Sequence, residues 1–144
     1  MSAYERIVCA IDLGPQSEAV LERAARIAAD CSASVTVVHV VDYVPPLGED
    51  HILPPLESVE ADLLAAARKR LDALFERIGV PEAEKHDVQL LSGKPANVIA
   101  DLAERLEADL VVIGTHGRHG MRGLLGSTTD RVLQRAGCDV LVVH

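Results

Sequence analysis

The chain alternates between short unbroken apolar runs and longer stretches in which apolar residues recur every three or four positions. Ile7-Val8-Cys9-Ala10-Ile11 is continuous and ends at Asp12, the pattern of a strand buried on both faces. Leu13-Gly14-Pro15 follows as a turn signal. Ser17 then reads as the cap of a helix with Glu18 in its first turn and Val20, Ala24, Ile27 and Ala28 at helical spacing. Val35 to Val41 is a second, β-branched run. Asp42 to Leu56 contains Pro45, Pro46, Pro54 and Pro55 without periodicity and reads as a loop. Val59, Leu63, Ala67, Leu71, Leu74 and Ile78 fall on one face of a long helix that Gly79 and Pro81 stop.

The second half repeats the alternation. Val88, Leu90 and Leu91 predict a short third strand. Ser92-Gly93-Lys94 leads into a helix with Pro95 in its first turn, carrying Val98, Ile99, Leu102 and Leu106. Leu110 to Ile113 is a fourth strand, Ser127 to Ala136 a helix, and Val140 to Val143 a fifth strand. The order βαβαβαβαβ with buried-type strands implies one α/β domain over residues 1–144, a parallel sheet with helices on both faces. Ligands of such sheets bind beyond the carboxyl ends of the strands, where the strand order reverses.

Composition narrows this picture. Apolar residues make up 49% of the chain while aromatics make up only 2%, so the core is aliphatic. A net charge of −8 and the lack of stacking aromatics argue against nucleic acid and anionic membranes as partners. No run of about 18 apolar residues offers a membrane span. Met1 to Arg6 passes directly into a strand without the features of a secretory signal. Cys9, Cys31 and Cys138 are odd in number and widely spaced, as small buried hydrophobes in a reducing compartment would be. A cytoplasmic location is expected.

The candidate chemistry lies after the fourth strand. Five of the 10 glycines, Gly114, Gly117, Gly120, Gly123 and Gly126, are spaced three apart between that strand and the next helix. Glycines there let the backbone turn sharply and approach a ligand. The helix start that follows offers free N–H groups and partial positive charge to phosphate. Arg118, Arg122, Arg131 and Arg135 make this stretch locally basic in an acidic protein, and Arg118 and Arg122 lie within the loop. The alternative is a flexible connection in which Ser127-Thr128-Thr129-Asp130 only caps the helix.

The sequence Val111-Val112-Ile113-Gly114-Thr115-His116-Gly117, followed by Gly126-Ser127, resembles the signature of the universal stress protein family. Ile7 to Asp12, Val37 to Val41 and Cys138 to Val143 are similar to its first, second and last strands. The resemblance implies a five-stranded parallel sheet of order 3-2-1-4-5 with helices on both faces, Rossmann-like and of the adenine nucleotide alpha hydrolase-like type. It implies a stress-response protein that binds ATP, or AMP or ADP in its place, with Mg2+ accompanying a triphosphate. Its ATP-binding branch carries Gly-x2-Gly-x9-Gly-Ser/Thr; here eight residues, Arg118 to Leu125, separate Gly117 from Gly126. By position, Asp12 would contact adenine or its ribose and Val41 would pack on the base. Gly114 opens the motif, Gly117 and Gly126 would admit phosphates to the backbone, Arg118 would meet their oxygens, and Ser127 and Thr128 would hydrogen-bond them. The family also implies a homodimer paired through its last strands, and Val140 to Val143 is apolar enough to invite pairing at a sheet edge.

Enzymatic motifs are lacking. His116 and His119 have no third metal ligand nearby in sequence, and both read as solvated or phosphate-facing. His39 reads as a core-edge residue of a strand. Ser92-Gly93-Lys94-Pro95 lacks the glycine and hydroxyl of a Walker loop, and no Gly-x-Ser-x-Gly elbow occurs. His116-Gly117-Arg118-His119 places its glycine wrongly for the His-x-Gly-His of nucleotidylyltransferases. No residue stands out as a base, so catalysis amounts at most to slow ATP hydrolysis. Two readings remain beside that one: a nucleotide-binding regulator, and a dimeric interaction protein that holds no nucleotide and works through its dimer surface and the Asp42 to Leu56 segment.

Overall fold

The structure is a computed structural model, and it describes residues 2–44, 56–79, 87–115 and 125–144. Among the described residues five strands alternate with four helices: β1 (Arg6–Ala10), α1 (Ser17–Cys31), β2 (Ser34–Asp42), α2 (Leu56–Ile78), β3 (Asp87–Gly93), α3 (Pro95–Arg105), β4 (Leu110–Gly114), α4 (Ser127–Arg135) and β5 (Asp139–Val143). The strands form one parallel sheet of order β3-β2-β1-β4-β5. The expected fold class and strand order are both present. The reversal of order falls between β1 and β4, where Ala10 pairs with Ile113.

Alternation along the strands divides the core in two. Ile7, Cys9, Val35, Val37, Leu110 and Val112 pack against α1 and α2, joined by Val20, Leu21, Leu71, Leu74 and Phe75. Val8, Ala10, Val38, Val40, Val111 and Ile113 pack on the other side with Ile99 and Leu102 of α3 and Val132 of α4. Both faces of the central strands are therefore buried, which is why they read as unbroken apolar runs.

Several local readings change. In α2, Leu63 is 39% exposed while Phe75 is 4% exposed; the buried stripe runs through Ala67, Leu71, Leu74 and Phe75, so it departs from the expected face at Leu63 and takes in Phe75. The third strand is seven residues long and takes in Ser92 and Gly93, which in sequence read as the lead into the next helix but pair with Val41 and Asp42 of β2. Ser17 is the first residue inside α1, and Gln16 holds the cap position. Likewise Gly126, not Ser127, precedes α4 at its cap. Of the cysteines only Cys9 is buried; Cys31 and Cys138 are half-buried. Most of the proline-rich stretch, residues 45–55, lies outside the described residues.

Candidate functional site

A cavity of about 110 Å³ opens at the carboxyl ends of β1 and β4, the switch point at which sheets of this class bind ligands. Its floor is apolar, built from Ala10, Val40, Ile99 and Ile113, and its rim is polar, with Asp12, Gln16, Ser17, Thr128 and Thr129. The first turns of α1, α3 and α4 all contribute to the lining. None of these three helices has a side-chain cap hydrogen bond at its start. Their partial positive ends thus border one opening, an arrangement suited to an anion, although Pro95 brings no N–H to it and the Ser17 N–H already donates to the Gly14 carbonyl.

The β1–α1 turn presents Asp12. Leu13 takes a left-handed backbone with φ 64°, an uncommon conformation for a branched residue. The turn is held from several sides. Asp12 Oδ1 accepts hydrogen bonds from the Gly14 N–H at 2.7 Å and from Ser17 Oγ at 3.3 Å. Arg70 of α2 donates to the Leu13 carbonyl at 3.3 Å. One residue earlier, Ile11 donates its N–H to the Val38 carbonyl, while its own carbonyl accepts from Nδ1 of the buried His39 at 2.9 Å. Because that acceptor is a carbonyl, His39 carries a proton on Nδ1.

On the other side of the cavity, Thr129 of α4 donates its hydroxyl to the Gly114 carbonyl at 2.7 Å. Thr115 follows β4 and is 2% exposed. Its N–H donates to the Val143 carbonyl of β5 at 3.0 Å, and its carbonyl accepts from the Gly126 N–H at 2.8 Å. Thr115 thus ties the end of β4 both to β5 and to the residue that precedes α4.

Of the residues singled out in sequence, Asp12, Gly114 and Thr128 line the cavity together. Gly126 and Ser127 begin α4 beside them. Val41 is half-buried on β2, and its neighbour Val40 is the residue that lines the cavity. Gly117 and Arg118 lie outside the described residues, as do His116 and His119. Sequence reasoning missed Gln16, Thr115 and Thr129. A signal existed for the two threonines, Thr115 within the glycine-rich stretch and Thr129 just after it; nothing in the sequence pointed to Gln16.

The described residues show no metal-binding cluster: no three His, Cys, Asp or Glu side chains gather as a cation would need. No helix among them is long and apolar enough to cross a membrane.

The universal stress protein family profile matches residues 3–144. The chain belongs to the universal stress protein family. Universal stress protein A homolog 1 of Coxiella burnetii is 41% identical over 141 residues, spanning 97% of this chain and 96% of that protein. Among solved structures, a universal stress protein UspA from Lactobacillus plantarum superposes with a TM-score of 0.78 at 28% identity, over 100% of both chains. A universal stress protein in complex with cAMP matches with a TM-score of 0.59 at 27% identity, over 99% of this chain and 98% of the other.

Proposed function

We propose that this protein is a stress-response regulator that binds ATP, or a related adenine nucleotide such as AMP or ADP, at the Gly114 to Thr128 loop. The observation that carries this reading is the convergence of three helix starts on a cavity with an apolar floor. An aromatic base suits the floor, and phosphates suit the helix starts. The cAMP complex of a structural relative supports the same ligand class.

The described cavity is smaller than the roughly 300–1,000 Å³ usual for small-molecule sites. Its volume suits one end of a nucleotide, with the rest reaching toward the chain between Thr115 and Gly126. In this reading Asp12 accepts a hydrogen bond from the ribose or adenine, and Val41, next to Val40, packs near the base. Gly117 and Gly126 admit phosphate oxygens to the backbone. Ser127 and Thr128 donate hydroxyl hydrogens, and Arg118 adds positive charge. A bound triphosphate supplies the negative charge that the helix starts lack. Mg2+ would be held mainly by the phosphates and water, since the donor set around the cavity has Asp12 as its one lining carboxylate among the described residues.

The strand β5 is the sheet edge next to β4, which supports a homodimer paired through the last strands. We place the protein in the cytoplasm, without membrane or nucleic-acid partners. A second reading, a dimeric interaction protein holding no nucleotide, is favoured by the eight-residue spacing between Gly117 and Gly126.

Native mass spectrometry of the freshly purified protein tests both parts of the proposal. The expected species is a dimer of the 15.4 kDa chain carrying ATP, ADP or AMP. A nucleotide-free species that stays nucleotide-free with added ATP overturns the nucleotide reading in favour of the interaction protein.

A further inference from the structure

We infer that Gln16 and Thr115 form a strap beside the cavity, with Gln16, which lines it, as a positioning residue that sets the end of β4 against the Asp12 turn. This inference rests on the nucleotide reading above. Gln16 Nε2 donates to Thr115 Oγ1 at 2.9 Å, and the Thr115 hydroxyl lies 3.4 Å from Gln16 Oε1. These residues are 99 positions apart, and the contact joins the start of α1 to the end of β4.

Thr115 is a junction. Its N–H goes to Val143 of β5, its carbonyl to Gly126 at the start of α4, and its hydroxyl to Gln16. Three elements therefore take their relative positions from one residue that is 2% exposed. A buried hydroxyl without its partner would be costly, so the Gln16 amide and the Thr115 side chain hold each other in place.

The strap also gives Gly114 a reason that the glycine motif alone does not supply. A Cβ on Gly114 would stand 2.9 Å from Gln16 Oε1 and 3.4 Å from Val20 Cγ2. Glycine at 114 lets the Gln16 amide hold this position beside the strand end, where a Cβ would push it aside, whereas Gly117 and Gly126 are the positions that face phosphate in the proposed site.

Polar contacts then follow one another from the Asp12 turn to the start of α4, with the step from Ser17 to Gln16 made by the chain itself. Asp12 bonds Ser17, Ser17 adjoins Gln16, Gln16 bonds Thr115, and Thr115 bonds Gly126. It links the residue assigned to the ribose end with the residue assigned to the phosphate end. The strap thereby sets the span between those two ends.

Three variants test it: Gln16→Ala, Thr115→Val and Thr115→Ser. The first readout is amide hydrogen exchange of Gly126 in nucleotide-free protein; the second is ATP titration. Gln16→Ala and Thr115→Val should speed Gly126 exchange about tenfold, with Thr115→Ser close to wild type because it keeps the hydroxyl. ATP affinity should fall about tenfold in the first two and return in Thr115→Ser. Gln16→Ala alters a half-buried side chain, so it remains informative if Thr115→Val folds poorly. Gly126 exchange within about twofold of wild type in Gln16→Ala overturns the strap, even where ATP binds. Equal weakening by Thr115→Ser and Thr115→Val overturns the role of the hydroxyl. Accelerated exchange in a protein whose wild type takes no ATP overturns the nucleotide reading and leaves the strap as a structural tie.

Discussion

Replacing Thr129 by valine separates two forces that act in opposite directions. Thr129 is the third residue of α4, is 3% exposed, and donates its hydroxyl to the Gly114 carbonyl at 2.7 Å. Valine has nearly the same shape and a similar helix preference. It substitutes a methyl for the hydroxyl, so burial of apolar area alone predicts a protein at least as stable as wild type, by up to about 1 kcal/mol. The hydrogen bond predicts the reverse. Removing the donor leaves the carbonyl of half-buried Gly114 short of a partner, at a cost of about 1–3 kcal/mol. The bond is short and its donor is buried, so the second effect should win by about 1–2 kcal/mol. For a chain of this size that corresponds to a fall in Tm of roughly 3–7 °C. Urea unfolding of wild type and Thr129→Val at neutral pH, with equal slopes, gives the difference directly. Valine at 129 as stable as threonine, or more stable, would refute the claim that this bond fixes α4 to β4.

Two further outcomes follow from buried groups. His39→Leu removes the donor to the Ile11 carbonyl and should cost about 1–3 kcal/mol in urea unfolding. His39→Asn, whose amide nitrogen sits near the Nδ1 position, should recover part of that loss; no recovery would mean that the ring is held by packing alone. Burial pushes the Cys9 thiol up to about 12 from its ordinary 9.0. Burial also raises Cys138, and the Asp139 hydrogen bond raises Tyr4. The unfolded thiols therefore lose protons first, so stability holds below pH 9 and falls as pH rises from there toward about 12. Urea midpoints measured upward from pH 8 should show this decline, and Cys9→Ala should flatten it; an equally steep decline in Cys9→Ala would show that the Cys9 thiol is not its source.

How much of this was legible depends on the range of the interaction. β1, β2 and β4 announce themselves because both of their faces are buried, so Ile7 to Ile11, Val35 to Val41 and Leu110 to Ile113 carry almost no polar residue. The third strand extends beyond the apolar pattern of Val88, Leu90 and Leu91, which stops before Ser92 and Gly93. They are strand residues only because β2 continues as far as Asp42 and offers them partners. Capping was misread for a similar reason. Ser17 has the chemistry of a cap, but the left-handed Leu13 and the turn at Gly14 and Pro15 bring Gln16 to that position, and the Ser17 hydroxyl turns to Asp12. Asp12 and Gly114 were legible as strand ends on either side of the reversal. The Gln16–Thr115 contact was not, because it exists only once β1 and β4 lie side by side in register.

The most direct measurement for the central claim is calorimetric titration of the protein with ATP, in wild type and in Gly126→Val. Gly126 has an extended backbone, φ −62° and ψ 154°, which any residue adopts, so valine there adds bulk at the start of α4 without forcing the chain. The account predicts a saturable heat with wild type that is lost, or weakened by at least about tenfold, in Gly126→Val. No heat with wild type, or equal affinity in the two proteins, would contradict the assignment of the Gly114 to Thr128 loop as a phosphate cradle.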